Sequence, residues 1–245
     1  MSTILDVQDL NVYYGVIHAL KGISFHVDKG EIVTLIGANG AGKTTTLQTI
    51  TGLIPARSGH VFYNGKEITH TPGVKMVGAG LAHVPEGRRV FAQLSVYQNL
   101  MLGAYTRKDK DGIAESLETV YKHFPRLEER KNQVAGTLSG GEQQMLAMGR
   151  ALMSNPEMIV MDEPSTALDP VNRRTVISTI NSRKETKLIA SHDLDMILDT
   201  CQRVILLNHG RIVADGEAET ILRDQALLEA NRMELPFCLQ GWMGR

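Results

Sequence analysis

The chain has little cysteine and few aromatic residues. Two cysteines, Cys201 and Cys238, and one tryptophan stand among 245 residues, and Phe, Trp and Tyr together make up 5%. Neither cysteine lies in a C-x-x-C pair or at metal-site spacing, which argues against a disulfide framework and against a zinc module. Both are read as buried free thiols in a reducing compartment. No sign of charge dominates: 26 Lys+Arg face 27 Asp+Glu, a formal net charge of -1. The chain therefore lacks the basic surplus of a nucleic-acid binder, and it lacks the basic amphipathic helix of a lipid-surface protein. No apolar run approaches the ~20 residues of a membrane-spanning helix, and Met1-Ser2-Thr3-Ile4-Leu5-Asp6 has no signal-peptide form. The expectation is a cytosolic protein whose membrane role, if it has one, runs through a partner. With 42% hydrophobic and 22% charged residues, the chain suits one or two domains with a substantial core.

What is present centres on Gly37-Ala38-Asn39-Gly40-Ala41-Gly42-Lys43-Thr44, which fits the pattern G-x-x-x-x-G-K-S/T without substitution. Glu31 to Ile36 before it reads as a short buried strand, and Thr45 to Thr51 after it as a helix closed by Gly52. A glycine loop between strand and helix lets backbone N–H groups turn inward around phosphate oxygens, where side chains would obstruct them. The helix N-terminus adds partial positive charge, Lys43 a full charge, and Thr44 a hydroxyl for Mg²⁺. This stretch predicts a nucleoside triphosphate site.

Taken in order, the chain opens with antiparallel strands over Ile4 to Val12 and Ile23 to Val27, the latter ending at Asp28-Lys29-Gly30. Tyr13-Tyr14-Gly15-Val16 lies between them and reads, from its composition, as packing. Asn64-Gly65 joins the runs Gly59 to Tyr63 and Lys66 to Ile68 as a two-residue hairpin. Leu81 to Val84 is a short strand that leads into Pro85-Glu86-Gly87-Arg88-Arg89. From there the pattern is helical to about Met153. Ile113, Leu117, Val120, Tyr121 and Phe124 fall on one face, with Glu115, Glu118 and Lys122 opposite. Ser139 and Glu142 form a capping box at a helix start, and Gly140 and Gly141 leave its N–H groups bare, a second anion site. That helix stops at Asn155-Pro156.

Glu157 to Met161 is an apolar run ending in Asp162-Glu163-Pro164. An acidic pair at the C-terminal end of a buried strand suits Mg²⁺ coordination by Asp162 and water activation by Glu163, and a capping role for the pair is the alternative. Lys187 to Ala190 is a further strand, ending in Ser191-His192-Asp193. Val204 to Leu207 and Arg211 to Ala214 make a last hairpin, a short helix is expected from Glu217 to Asn231, and Met233 to Arg245 shows no usable period.

In order and spacing these motifs resemble the nucleotide-binding subunits of ABC transporters, over nearly the whole chain. Gly37 to Thr44 resembles Walker A, Leu138 to Gln143 the ABC signature, Met158 to Glu163 Walker B, Ser165 to Asp169 the D-loop, and His192 the switch histidine. The resemblance implies an α/β P-loop ATPase with a mixed β core, an N-terminal antiparallel β subdomain and an inserted α-helical subdomain. Within a single ABC ATPase domain of residues 1–245, it places the nucleotide-binding core in 1–88 and 156–216, the helical subdomain in 89–155 and a short tail in 217–245. ATP would meet Tyr14, Val16, Gly37, Ala38, Asn39, Gly40, Ala41, Gly42, Lys43, Thr44 and Thr45, with the adenine on Tyr14. Ser139, Gly140, Gly141 and Glu142 would act in trans on a second copy's nucleotide, with Asp169 in the D-loop. Thr44 and Asp162 would hold Mg²⁺, with Glu86 as a further ligand, and Glu163 and His192 would be catalytic.

The resemblance further implies ATP and Mg²⁺ as cofactors, a second ABC ATPase subunit in a homo- or heterodimer, transmembrane permeases, indirectly a substrate-binding protein, and no nucleic acid. The protein would sit on the cytoplasmic face of the membrane. Most of the family has Gln where Glu86 stands, and a carboxylate cannot donate the hydrogen bond an amide can. Val84 to Phe91, Asn11 to Gly15 and Gly141 to Ala147 resemble the branched-chain amino-acid importer branch, in which Glu is usual. Asp162 to Pro170, Ala190 to Asp195 and Leu228 to Arg232 look more like ATPases of metal-ion or vitamin importers. Branched-chain amino-acid import is the leading expectation. Metal-ion or vitamin import, and a non-transport ABC ATPase, are the alternatives.

Overall fold

The alternating residues of the first segment make two long strands, β1 (Thr3–Tyr14) and β2 (Ile17–Asp28), paired antiparallel. The computed structural model describes residues 2–241; Met1 and the last four positions of the expected tail, 242–245, lie outside the described residues. Contacts divide the chain into two units, one running to Pro72 and resuming at Thr186, the other Gly73–Glu185.

In the first unit β2 leads to β3 (Ile32–Ile36), every residue of which is buried, and then to α1 (Lys43–Ile50). β4 (Ser58–Tyr63) and β5 (Lys66–Glu67) join the first two strands in an antiparallel sheet of order β2-β1-β4-β5. Asn64 and Gly65 turn between β4 and β5 with φ of 50 and 72°, the doubly left-handed turn that matches strand twist.

The second unit runs through α2 (Gly73–Gly78), β6 (Leu81–Val84), α3 (Val96–Gly103), α4 (Lys110–His123), α5 (Pro125–Glu129), α6 (Gly140–Leu152), β7 (Met158–Asp162) and α7 (Pro170–Ser182). β6 and β7 pair in parallel. Phe124, Val120, Leu127, Leu100 and Leu146 are fully buried and form the centre of this unit. The fit is close: a Cβ added at Gly149 of α6 would lie 2.9 Å from Val120 Cγ1 and 3.0 Å from Leu100 Cδ2. The helical pattern expected from residue 89 begins only at Val96. A loop precedes it, and Phe124-Pro125 divides α4 from α5 because the residue before proline is disfavoured in the helical region.

The chain returns to the first unit with β8 (Thr186–Ala190), α8 (Leu194–Thr200), β9 (Arg203–Asn208), β10 (Arg211–Glu217), α9 (Ala218–Arg223) and α10 (Gln225–Ala230). β3 lies between β8 and β9, parallel to both, and β10 closes antiparallel on β9. The expected helix over 217–231 is therefore two helices. The Asp224 carboxylate accepts the N–H of Leu227 at 2.9 Å and caps a fresh start. Cys201 is buried as expected, its thiol 2.8 Å from Thr34 Oγ1, but Cys238 is exposed. Its 3₁₀ turn, Phe237–Leu239, is held at the surface by the Asp195 carboxylate, which accepts the N–H of Cys238 at 2.9 Å and of Phe237 at 3.2 Å.

His83 on β6 is largely buried, and burial pushes its imidazole from 6.5 down to about 4. The unfolded chain binds this proton near pH 6.5 and the folded chain only near pH 4, so stability falls as the pH drops through that window. Replacing His83 by Gln should remove up to about 3 kcal/mol of acid sensitivity between about pH 7 and pH 4. Urea unfolding at both pH values reads it, and an unchanged pH dependence in the variant would contradict the assignment.

Candidate functional site

In the first unit, the buried β3 runs straight into the glycine loop, and α1 begins at its end. Gly37 turns with φ 144° at the strand terminus, and a Cβ there would lie 2.2 Å from the Leu207 carbonyl oxygen on β9. Gly42, with φ 112°, is the N-cap of α1, and a Cβ there would lie 2.7 Å from Leu20 Cδ2 on β2. The loop is thus pressed between two strands, and any side chain at these positions would force it outward. The turn before β10 closes the other side: Gly210 N–H donates to Ala41 O at 3.0 Å, and Lys21 N–H to Gly210 O at 2.8 Å.

Lys43, only 7% exposed, folds back along the loop. Its Nζ donates to Gly37 O at 2.7 Å and to Ala38 O at 3.5 Å, which sets a full positive charge beside the first N–H groups of α1. Thr46 Oγ1 donates to Gly42 O at 2.9 Å and closes the first turn. A cation, a helix N-terminus and a backbone without side chains at Gly37, Gly40 and Gly42 make an anion cradle.

Tyr14, at the end of β1, is 47% exposed and its hydroxyl lies 3.4 Å from Thr45 Oγ1. The structure therefore brings the aromatic residue to the helix that carries the loop. Its neighbour Tyr13 instead stacks on His18, centroids 4.0 Å apart. Val16, in the turn between β1 and β2, stands in solvent. His192, also exposed, follows β8; Asp193 next to it caps α8 by accepting the Met196 N–H at 3.0 Å.

In the second unit, β7 ends in Asp162, which is 1% exposed. Glu163 follows with φ 51°, a left-handed conformation that is costly for a non-glycine residue and that collects at functional sites. Its Oε2 accepts a hydrogen bond from Thr166 Oγ1 at 3.3 Å. The acidic pair does not cap the next helix. Asp169 does, its Oδ1 accepting the N–H groups of Val171 and Asn172, each at 3.0 Å.

The capping box at the start of α6 forms in full. Glu142 N–H donates to Ser139 Oγ at 3.3 Å, and Ser139 N–H to Glu142 Oε2 at 2.9 Å. The other Glu142 oxygen pairs with Arg130 Nε at 2.9 Å, so this carboxylate is committed to holding the cap. Asn172 packs against Gly141, where a Cβ would lie 2.3 Å from Nδ2, and the same amide donates to Asp169 Oδ2. Asp169 and Gly141 are thereby linked through one side chain. Arg130 and Asn172 carry no motif, and no spacing in the chain marks them. Glu86 is exposed on the loop after β6. No group of three or more His, Cys, Asp or Glu residues converges among the described residues.

Strand, glycine loop and helix of this form define a P-loop nucleotide-binding protein. The family described as "ABC transporter" matches residues 20–166. The "High-affinity branched-chain amino acid transport ATP-binding protein BraG" of Pseudomonas aeruginosa is 43% identical over 229 residues, covering 92% of this chain and 98% of that one. The "Probable branched-chain amino acid transport ATP-binding protein LivF" of Archaeoglobus fulgidus is 35% identical over 220 residues, with 88% and 93% covered. A crystal structure of the ADP conformation of an ATP-binding cassette of an ABC transporter superposes with a TM-score of 0.81 at 28% identity, covering 94% of this chain and 98% of that one. The chain belongs to the ABC transporter family, as an ATP-binding subunit with the ABC ATPase fold.

Gly37 tests how tightly the loop is held. Replacement by Ala should cost more than about 2 kcal/mol of unfolding free energy, since it combines a forbidden φ with a clash against backbone. A urea midpoint equal to that of the unmodified chain would show that the loop is not pinned at this point.

Proposed function

We propose that this subunit powers an importer of branched-chain amino acids. The observation that carries the reading is the 43% identity to BraG across 92% of this chain. Glu86, where most of the family has Gln, supports it too. On this reading one copy pairs with a second ABC ATPase subunit, and both dock on permeases at the cytoplasmic face, fed indirectly by a substrate-binding protein. Among the described residues no helix is long and apolar enough to cross a membrane. We assign residues 1–88 and 156–216 to the nucleotide-binding core, 89–155 to the helical insertion and 217–245 to a tail.

In the assignment we make, Tyr14 stacks on adenine and Val16 lies beside it. Residues Gly37 to Thr45 wrap the phosphates, with Lys43 supplying the charge. The oxygen donors Thr44, Asp162 and Glu86 suit a hard cation, and Mg²⁺ needs only one or two carboxylates when phosphates complete its shell. When bound, Mg²⁺ neutralises charge on the terminal phosphates. Glu163 orients and deprotonates the attacking water, and His192 contacts the γ-phosphate and that water. Ser139, Gly140 and Gly141 of the second subunit present N–H groups to the same phosphate, where charge develops as it transfers. Glu142 supports that cap, and Asp169 fixes Asn172 behind it.

Two outcomes test the proposal. Glu163→Gln should retain ATP binding while turnover falls at least ~10²-fold, the range of general-base catalysis; near-normal turnover would remove Glu163 from that role. Purification of the tagged chain from detergent-solubilised membranes should recover two permeases and a leucine-binding protein. Recovery of a metal or vitamin permease would contradict the amino-acid reading, and recovery of ribosomal proteins alone would contradict the transporter role.

A further inference from the structure

The segment between β6 and α3 is fixed at both ends and strained in the middle. Its start is held by the pairing of β6 with β7. Towards its end, fully buried Asn99 grips Phe91 from both sides: Phe91 N–H donates to Asn99 Oδ1 at 2.8 Å, and Asn99 Nδ2 donates to Phe91 O at 3.0 Å. Between these points Gly87, Arg88 and Arg89 are all left-handed, with φ of 80, 67 and 45°. Two of the three carry long side chains, and such a conformation persists only where the surroundings over-determine it. Arg150 on α6 does so. Its Nη2 donates to Arg89 O at 2.7 Å, and its guanidinium carbon lies 5.1 Å from the centre of the Phe91 ring. Nη1 of the same group is buried without a hydrogen-bond partner among the described residues, a desolvation cost that the clamp must offset.

The strain places one side chain. Arg88 lies against Gly140, the first residue of α6, so closely that a Cβ there would be 2.5 Å from Arg88 Nη1. A second link runs through the backbone. Gly136 N–H donates to Ala92 O at 3.0 Å, Ala135 N–H to Leu94 O at 2.8 Å, Val96 N–H to Gln133 O at 3.0 Å and Tyr97 N–H to Lys131 O at 2.9 Å. Residues 92–97 are thus zipped to 131–136, which lead directly into the Ser139 cap. The loop reaches α6 by side chain at both ends of the helix and by backbone just ahead of it.

We propose that Arg88 is a positioning residue for the Ser139–Gly141 cap, and that the loop 86–91 and this cap move as one body. Arg88 keys the loop against Gly140, and Arg150 holds Arg89 and Phe91 in the conformation that delivers it. A push on exposed Glu86 or half-exposed Phe91 is then carried to the N–H groups that face phosphate. The proposal rests on the reading of that cap as a phosphate site.

The test compares Arg88→Ala, Arg88→Lys, Arg150→Lys and the Arg88→Ala/Arg150→Lys pair in the full chain purified with its membrane partners. Gly141→Asp serves as reference for the cap. Arg88→Ala should lower kcat, counted per folded ATP-binding chain, ~10-fold or more with KM for ATP within ~2-fold. Arg88→Lys should recover part of the rate. The double variant should be no slower than the slower single variant, because both residues hold one loop. An unchanged kcat in Arg88→Ala, losses that multiply in the double variant, or a kcat loss matched by a fall in the unfolding midpoint would each overturn the clamp. Were Gly141→Asp fully active, the phosphate reading of the cap would fall and the clamp with it. An inactive Gly141→Asp beside a normal Arg88→Ala would remove the clamp alone.

Discussion

The first unit depends on one buried cation. Lys43 turns back from the first turn of α1 to the carbonyl of Gly37, 2.7 Å away, and so closes the glycine loop on itself. That closure needs a backbone without side chains at Gly37 and Gly42, where β9 and β2 leave no room for a Cβ. It also needs the fully buried β3 to present the loop, and the Gly210 turn to hold Ala41. The sheet, the last hairpin and the helix therefore all serve to keep a positive charge and a helix N-terminus in one small volume. An ammonium in that setting has a strong electrostatic demand for an anion, because its surroundings are far less polarisable than water.

The second unit works by a different constraint, in which carboxylates and amides hold helix ends. Glu142 caps α6 and is itself held by Arg130; Asp169 caps α7 and holds Asn172 against Gly141. Strain appears where the chemistry is assigned: Glu163 after β7, and Arg88 and Arg89 after β6, all occupy left-handed backbone. These segments are expensive in isolation and are tolerated because each is fixed by a paired strand at its start and a helix at its end.

Much of this architecture is legible in the order of the residues alone. The P-loop spacing, the Asn64-Gly65 turn and the Ser139–Glu142 capping box are local patterns with local physical causes, and each forms as the pattern predicts. The ABC ATPase fold follows from the order of those motifs. The features without a sequence signal are non-local. Nothing in the run Gly87-Arg88-Arg89 announces three left-handed residues, because the conformation is imposed by Asn99 and Arg150 from elsewhere in the chain. The contact of Asn172 with Gly141 joins positions 31 apart (172 − 141) and has no periodic signature. Asp224 does not stand out as a cap, because the flanking apolar pattern runs through it. The exposure of Cys238 depends on a tail that carries no period.

The central claim is that a phosphate-bearing nucleotide is held by the charge of Lys43 within the glycine loop. Calorimetric titration of Mg-ATP into the chain and into Lys43→Ala tests it most directly. A lost charge-assisted contact of about 1.5–3 kcal/mol corresponds to roughly 10- to 100-fold weaker binding in the variant, measured on chain shown to be folded. Equal affinity of the two chains for ATP would contradict the account.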